Sequence, residues 1–310
     1  MADVKRSFSA RMMPVLFFAI FLLFPVEGRT DELQPYSPRL WTHLEILCSF
    51  GPRYIGSPGH LETRQYIKQI GEKYADEVVE QEFFYRTATK KELRLFNIEL
   101  RFEGKEGGRP ILLGAHYDTR PFADEDPDPK LREKPIMGAN DGGSGTAVLL
   151  ALAQYLRENK PRKPVRLVFF DGEDYGRKQS GEYFLGSTYY ARQVKISDKN
   201  EWPLCVLIID MIGDKNLEIY KEIHSVKSAP DLVDLIFSVA ERQGARQFIS
   251  KTKYSIRDDH IPFAQLNIPS AVLIDFDYPH WHTQQDTLDK CSEESLFTVF
   301  SVVVATLNEI

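Results

Sequence analysis

The chain has 310 residues, 43% hydrophobic and 27% charged, with a net charge of −6 at pH 7. That balance argues against global disorder, and the length suits one large domain or two small ones. The acidic excess leaves no basic footprint, so nucleic acid is not an expected partner.

The N-terminus differs from the rest. Lys5, Arg6 and Arg11 lead into an apolar run over residues 12–26. A run of about 15 apolar residues is short of the roughly 20 needed to cross a bilayer core. The pattern predicts a cleaved signal peptide over residues 1–28 and a secreted or periplasmic protein. An uncleaved N-terminal membrane anchor is the alternative. The cysteines are Cys48, Cys205 and Cys291, with no C-x-x-C pair that would build a zinc knuckle. Cys205 opens an apolar run and reads as a buried thiol.

Residues 29–310 show no repeat, no low-complexity tract and no linker, and read as a single domain. Residues 96–102 alternate and predict a strand near a sheet edge. Residues 110–115, 165–170, 204–209 and 270–274 are continuous apolar runs, the pattern of strands buried on both faces. Asp124, Asp126 and Asp128 could suggest calcium, but two prolines and the nearby Lys130 and Arg132 predict a solvated loop instead. Residues 142–159 are apolar nearly all round, as in a helix enclosed by the domain. Leu232, Leu235, Ile236, Val239 and Ala240 form one helical stripe. Ser292 caps a last helix, with Glu293 and Glu294 near its positive end. The alternation predicts an α/β three-layer sandwich: a mostly parallel central sheet with helices on both faces.

In such sheets the ligand site lies beyond the carboxyl ends of the strands. Those ends carry His116-Tyr117-Asp118, Asp171-Gly172-Glu173-Asp174, Asp210 and, after a short loop, His280-Trp281-His282. Gly138-Ala139-Asn140-Asp141-Gly142-Gly143 precedes the enclosed helix. A lone aspartate at a strand end is usually a turn former or a helix cap. Carboxylates gathered at several ends repel one another, however, and a divalent cation neutralises them. Imidazole with carboxylate oxygen is a ligand set that suits zinc. His43, His60 and His224 have no ligand partner at useful spacing and read as structural.

With these motifs the chain resembles the zinc aminopeptidase superfamily, and within it the animal-type glutaminyl-peptide cyclotransferases and their bacterial relatives. Further matching pieces are Arg53-Tyr54-Ile55-Gly56-Ser57-Pro58-Gly59, Leu185-Gly186-Ser187, Asp210-Met211-Ile212-Gly213 and Asp258-Asp259-His260-Ile261-Pro262-Phe263. The resemblance implies that Asp141, Asp174 and His282 bind zinc, one ion per chain. It implies that Glu173 is the catalytic acid/base, sharing a proton network with Asp210 and Asp258. Trp281 would wall the substrate pocket, with Tyr278 or Phe276 as a second wall. The implied reaction is conversion of N-terminal glutamine of peptides or proteins to pyroglutamate, with loss of ammonia.

A two-zinc aminopeptidase is the alternative, its second metal taking His116 and Asp210 with Asp141 bridging. Aminopeptidases usually carry serine where this chain has Asp258, and seldom tryptophan directly before the last zinc histidine. A catalytically inactive binding domain is a third reading, disfavoured by the intact Glu173. Asp174 departs from the glutamate that many relatives carry. The stretch 175–183 lacks the tryptophan that animal cyclases place near their pocket.

Overall fold

In chain order the strands are β1 (Glu77–Arg86), β2 (Glu92–Phe102), β3 (Ile111–His116), β4 (Val165–Phe170), β5 (Cys205–Asp210), β6 (Ile219–Lys221), β7 (Phe248–Thr252) and β8 (Ser270–Ile274). Six of them form a sheet in the order β1-β2-β4-β3-β5-β8, and β6 pairs with β7 in a small parallel ribbon. This computed structural model describes residues 31–177 and 180–310. The leader read over residues 1–28, cleaved or anchoring, lies outside the described residues. Among the described residues no helix is long and apolar enough to cross a membrane.

Strands β4, β3, β5 and β8 run parallel, while β1 and β2 join antiparallel at one side. The apolar runs explain the layers. Side chains alternate along a strand, so Ile111, Leu113 and Ala115 enter one core and Leu112 enters the other. Likewise Leu207 and Ile209 oppose Val206 and Ile208, and Ala271 and Leu273 oppose Val272 and Ile274. The first core is covered by helices Ser37–Ser49, Pro58–Tyr74, Gly143–Glu158, Pro230–Arg242 and Glu293–Glu309, through Leu44, Ile67, Val148, Ile236 and Phe300. The second is covered by helix Leu185–Ile196 through Tyr190, Ala191 and Val194, with Phe263 beside it. Each such aliphatic or aromatic side chain contributes about 1.5–3 kcal/mol on burial. A one-residue slip of a central strand would exchange its two apolar faces, so the register is held firmly.

Local signals set the boundaries. Ser57 Oγ accepts from His60 N at 3.1 Å, with Pro58 opening that helix. Ser292 Oγ accepts from Ser295 N at 3.1 Å, the cap its sequence predicts. The apolar pattern misses β1, β6 and β7, and β1 is the longest of them. Glu77, Glu80 and Glu82 are exposed along it, because it is the outer strand. Charge on an edge discourages pairing with other chains. β2 lies one strand in, beside β1, and is largely buried.

Candidate metal and acid–base site

Because β3, β4, β5 and β8 are parallel, their carboxyl ends open on the same side of the sheet. His116 is the last residue of β3 and Asp210 the last of β5. The turn after β4 carries Glu173 and Asp174, whose amides donate to Asp118 Oδ1 and Oδ2 at 3.1 and 3.3 Å. Asp141 sits before helix Gly143–Glu158, and its amide and that of Asn140 donate to the Asp286 carboxylate at 3.1 and 2.9 Å. Gly142 has φ +76°, and a Cβ there would stand 2.5 Å from the Asp118 carbonyl oxygen. Only glycine fits that turn without strain.

Asp141, Asp174 and His282 are all buried and each offers a ligand atom within 4.8 Å of the others. His282 Nε2 lies 3.3 Å from Asp174 Oδ1 and 3.5 Å from Asp141 Oδ2. Asp141 Oδ2 and Asp174 Oδ2 are buried with no hydrogen-bond partner. Burying an unsatisfied acceptor costs about 1–3 kcal/mol, more for a charged one. A divalent cation would supply the missing partner to both, and two carboxylates with an imidazole are a fitting zinc set. Burial disfavours a charged imidazole, but Asp174 and Asp124 outweigh it and lift the His282 pKa to about 9. The Asp174 carboxyl is likewise pushed up by burial and drawn below its usual range by His282 and Arg120.

His116, Asp141 and Asp210 make a second cluster of possible ligands, sharing Asp141 with the first. Its atoms face one another: His116 Nε2 hydrogen-bonds Asp210 Oδ1 at 3.1 Å and lies 3.2 Å from Asp141 Oδ1. Glu173 faces this cluster, with Oε2 3.9 Å from His116 Nδ1. Burial and the neighbouring Asp174 push the Glu173 pKa well above the ordinary range, with Asp259 and Asp258 adding to it. Asp258 is raised in the same way by burial, Asp210 and Asp259. Crowded carboxylates of this kind share protons rather than ionise independently.

A cavity of about 380 Å³ opens over both clusters and is lined by Asp141, Glu173, Asp174, Asp210, Asp258 and His282. Trp281 and Phe276 form an apolar wall, their ring centroids 5.4 Å apart. Tyr278 is no wall: it is buried, and its hydroxyl donates to Asp286 Oδ1 at 2.8 Å. Tyr183 and Phe184 line the cavity close to the stretch that lacks tryptophan. The loop around Asp124 is less solvated than its prolines predict. Asp126 is buried and accepts from the amides of Asp128 and Gln284. Asp124 pairs with Arg120, a residue that composition and motif give no reason to single out.

A family model for peptidase family M28 matches residues 97–307. The chain is 29% identical over 287 residues to glutaminyl-peptide cyclotransferase of Drosophila melanogaster, covering 84% of this chain and 77% of that protein. Among solved structures it is similar to Tannerella forsythia glutaminyl cyclase, with a TM-score of 0.83 and 30% identity over 88% of this chain and 98% of that one. A leucine aminopeptidase precursor from Bacteroides thetaiotaomicron also aligns with a TM-score of 0.83, at 28% identity over 88% of this chain and 97% of that one. The matched span covers more than half of the chain, and this chain belongs to peptidase family M28.

Proposed function

We propose that the chain is a glutaminyl-peptide cyclotransferase holding one zinc on Asp141, Asp174 and His282. The observation that carries the reading is that Asp258 and Trp281, the two residues that set the cyclases apart from the aminopeptidases, line the same cavity as Glu173. Bound zinc supplies Lewis-acid polarisation of the substrate's side-chain amide carbonyl. The cavity holds the peptide N-terminus so that its α-amine faces that carbonyl carbon. Glu173 takes a proton from the attacking amine as the ring C–N bond forms. It then returns the proton to the side-chain nitrogen, which leaves as ammonia as its own C–N bond breaks. Asp258 keeps Glu173 in proton exchange by crowding it with negative charge, and Asp210 crowds Asp258 in turn. Trp281 and Phe276 cover the closing ring and keep the site dry.

One zinc is supported by where the unsatisfied oxygens fall. Within the two ligand clusters they belong to Asp141 and Asp174, whereas Asp210 is engaged by His116. The two-zinc aminopeptidase remains the second reading because the His116, Asp141 and Asp210 cluster is geometrically complete. On the reading of residues 1–28 as a cleaved leader, residues 29–310 act as one exported domain on peptide and protein N-termini.

Purified chain should contain close to one zinc, release ammonia from glutamine-led peptides and barely cleave leucine-led ones. A chelator should abolish the ammonia release and added zinc restore it. Two tightly held metals with rapid release of N-terminal leucine would replace this reading with the aminopeptidase.

A further inference from the structure

Arg120 is a buried cation, its side chain 1% exposed. Its guanidinium forks onto Asp124, with Nε donating to Oδ1 at 2.6 Å and Nη2 to Oδ2 at 2.7 Å. The remaining nitrogen, Nη1, donates to Asp174 Oδ1 at 2.8 Å and to the Asp174 carbonyl oxygen at 3.3 Å. Asp124 Oδ1 in turn stands 3.5 Å from His282 Nδ1. The opposite ring nitrogen of His282 faces Asp141 and Asp174. The contacts therefore run in a closed circuit from His282 through Asp124 and Arg120 to Asp174. The Phe122 ring, 4.6 Å from the guanidinium carbon, and the Tyr183 hydroxyl, 3.3 Å from Nη2, complete the enclosure.

Burying a guanidinium is expensive unless its charge and its hydrogen bonds are matched. Here both are matched. Arg120 and Asp124 cancel in charge, so the pair adds no net charge beside a doubly charged cation held by two carboxylates. What it adds is orientation. Arg120 occupies Asp174 Oδ1 and leaves Oδ2 without a partner. An acceptor beside one imidazole nitrogen fixes the proton there and frees the lone pair of the other nitrogen for a metal.

We propose that Arg120 and Asp124 are a positioning pair for the metal site: Arg120 commits Asp174 to ligation through Oδ2 alone, and Asp124 fixes the His282 tautomer that presents Nε2. The proposal rests on the reading of Asp141, Asp174 and His282 as the zinc ligands. It also accounts for the aspartate at position 174. The shorter side chain has one oxygen tied down by Nη1 of a guanidinium whose fork is fixed on Asp124, an arrangement that a lysine ammonium cannot reproduce.

The test measures zinc affinity, by competition with a chromogenic chelator, and the visible spectrum of the cobalt(II)-loaded full chain. Wild type is compared with Arg120→Lys, Asp124→Asn and His282→Ala. Arg120→Lys and Asp124→Asn should each weaken zinc binding about 10–100-fold and shift the cobalt bands, while His282→Ala loses more. Lysine keeps the charge, so failure to rescue at position 120 identifies geometry as the cause. Near-UV circular dichroism reports folding. If Arg120→Lys does not fold, Asp124→Asn carries the test alone, since that side chain is 21% exposed. Wild-type affinity and spectrum in folded Asp124→Asn, with binding lost in His282→Ala, would overturn the positioning role and leave the ligands standing. Wild-type zinc affinity in His282→Ala would overturn the ligand assignment itself, and the positioning role with it.

Discussion

Glu222 and Glu173 are both glutamates with little solvent access, their side chains 1% and 13% exposed, and they differ in what surrounds them. The Glu222 carboxylate caps helix Ile223–Ser228, accepting from the amides of His224, Ser225 and Ile256 at 2.8, 2.6 and 3.0 Å and from Ser225 Oγ at 2.8 Å. Burial alone would raise its pKa. His260 and the three amides outweigh that and bring it down to about 2. Glu173 has carboxylates for neighbours, and the ion-pair nitrogen facing it among the described residues is His116 Nδ1 at 3.9 Å. Burial and Asp174 drive its pKa the opposite way. A carboxylate wrapped in donors is fixed as an anion and serves the fold. One crowded by other acids binds a proton firmly enough to pick it up and carry it, and serves chemistry.

The sharpest way to break this contrast is Glu173→Gln. It keeps shape and removes the proton carrier, so turnover should fall about 10²–10⁴-fold while zinc content holds. Steady-state ammonia release and metal analysis on the same sample check it, and near-normal turnover would exclude Glu173 from proton transfer.

Glu222→Gln should do the reverse, costing about 2 kcal/mol of stability, the scale of lost charge-assisted hydrogen bonds, with turnover of the folded enzyme unchanged. The sign with pH follows from the depressed pKa. Glu222 binds its proton more weakly folded than unfolded, so its stabilisation is complete above about 4.5 and fades as pH falls towards about 2. Urea melts between pH 6 and pH 3 should show wild type losing more stability than Glu222→Gln over that window. Parallel loss in the two proteins would mean that Glu222 is not the fixed anion described here.

The smallest expected effect is Asp258→Ser, which removes one crowding acid and leaves Asp174 and Asp259 in place. Turnover should drop roughly tenfold, about 1.4 kcal/mol of barrier, and the pH–rate profile of kcat/KM should move with it. An unchanged profile would detach Asp258 from the proton network.

Much of this molecule is written locally. The four apolar runs at residues 110–115, 165–170, 204–209 and 270–274 became β3, β4, β5 and β8 within a residue, because a strand buried on both faces has no polar positions to blur it. The residues immediately beyond them then had to share one edge, since parallel strands end together. His116, Glu173, Asp174 and Asp210 follow from that rule. β1 stayed hidden because an edge strand one face of which meets water reads as charged loop.

What the tertiary structure alone decided is which polar atoms meet. Arg120 and Asp174 are 54 positions apart, Asp141 and Asp286 are 145 apart, and neither pairing leaves a periodicity or a motif. The same holds for the exchange of roles between Tyr278 and Phe276: both are aromatics near the last histidine, and only packing sends one to hydrogen-bond Asp286 and the other into the cavity wall. Apolar burial is non-directional and depends on pattern, so sequence determines where the strands and their ends lie. Hydrogen bonds and ion pairs depend on distances of a few tenths of an ångström between remote segments, so they exist only once the sheet has brought those segments together.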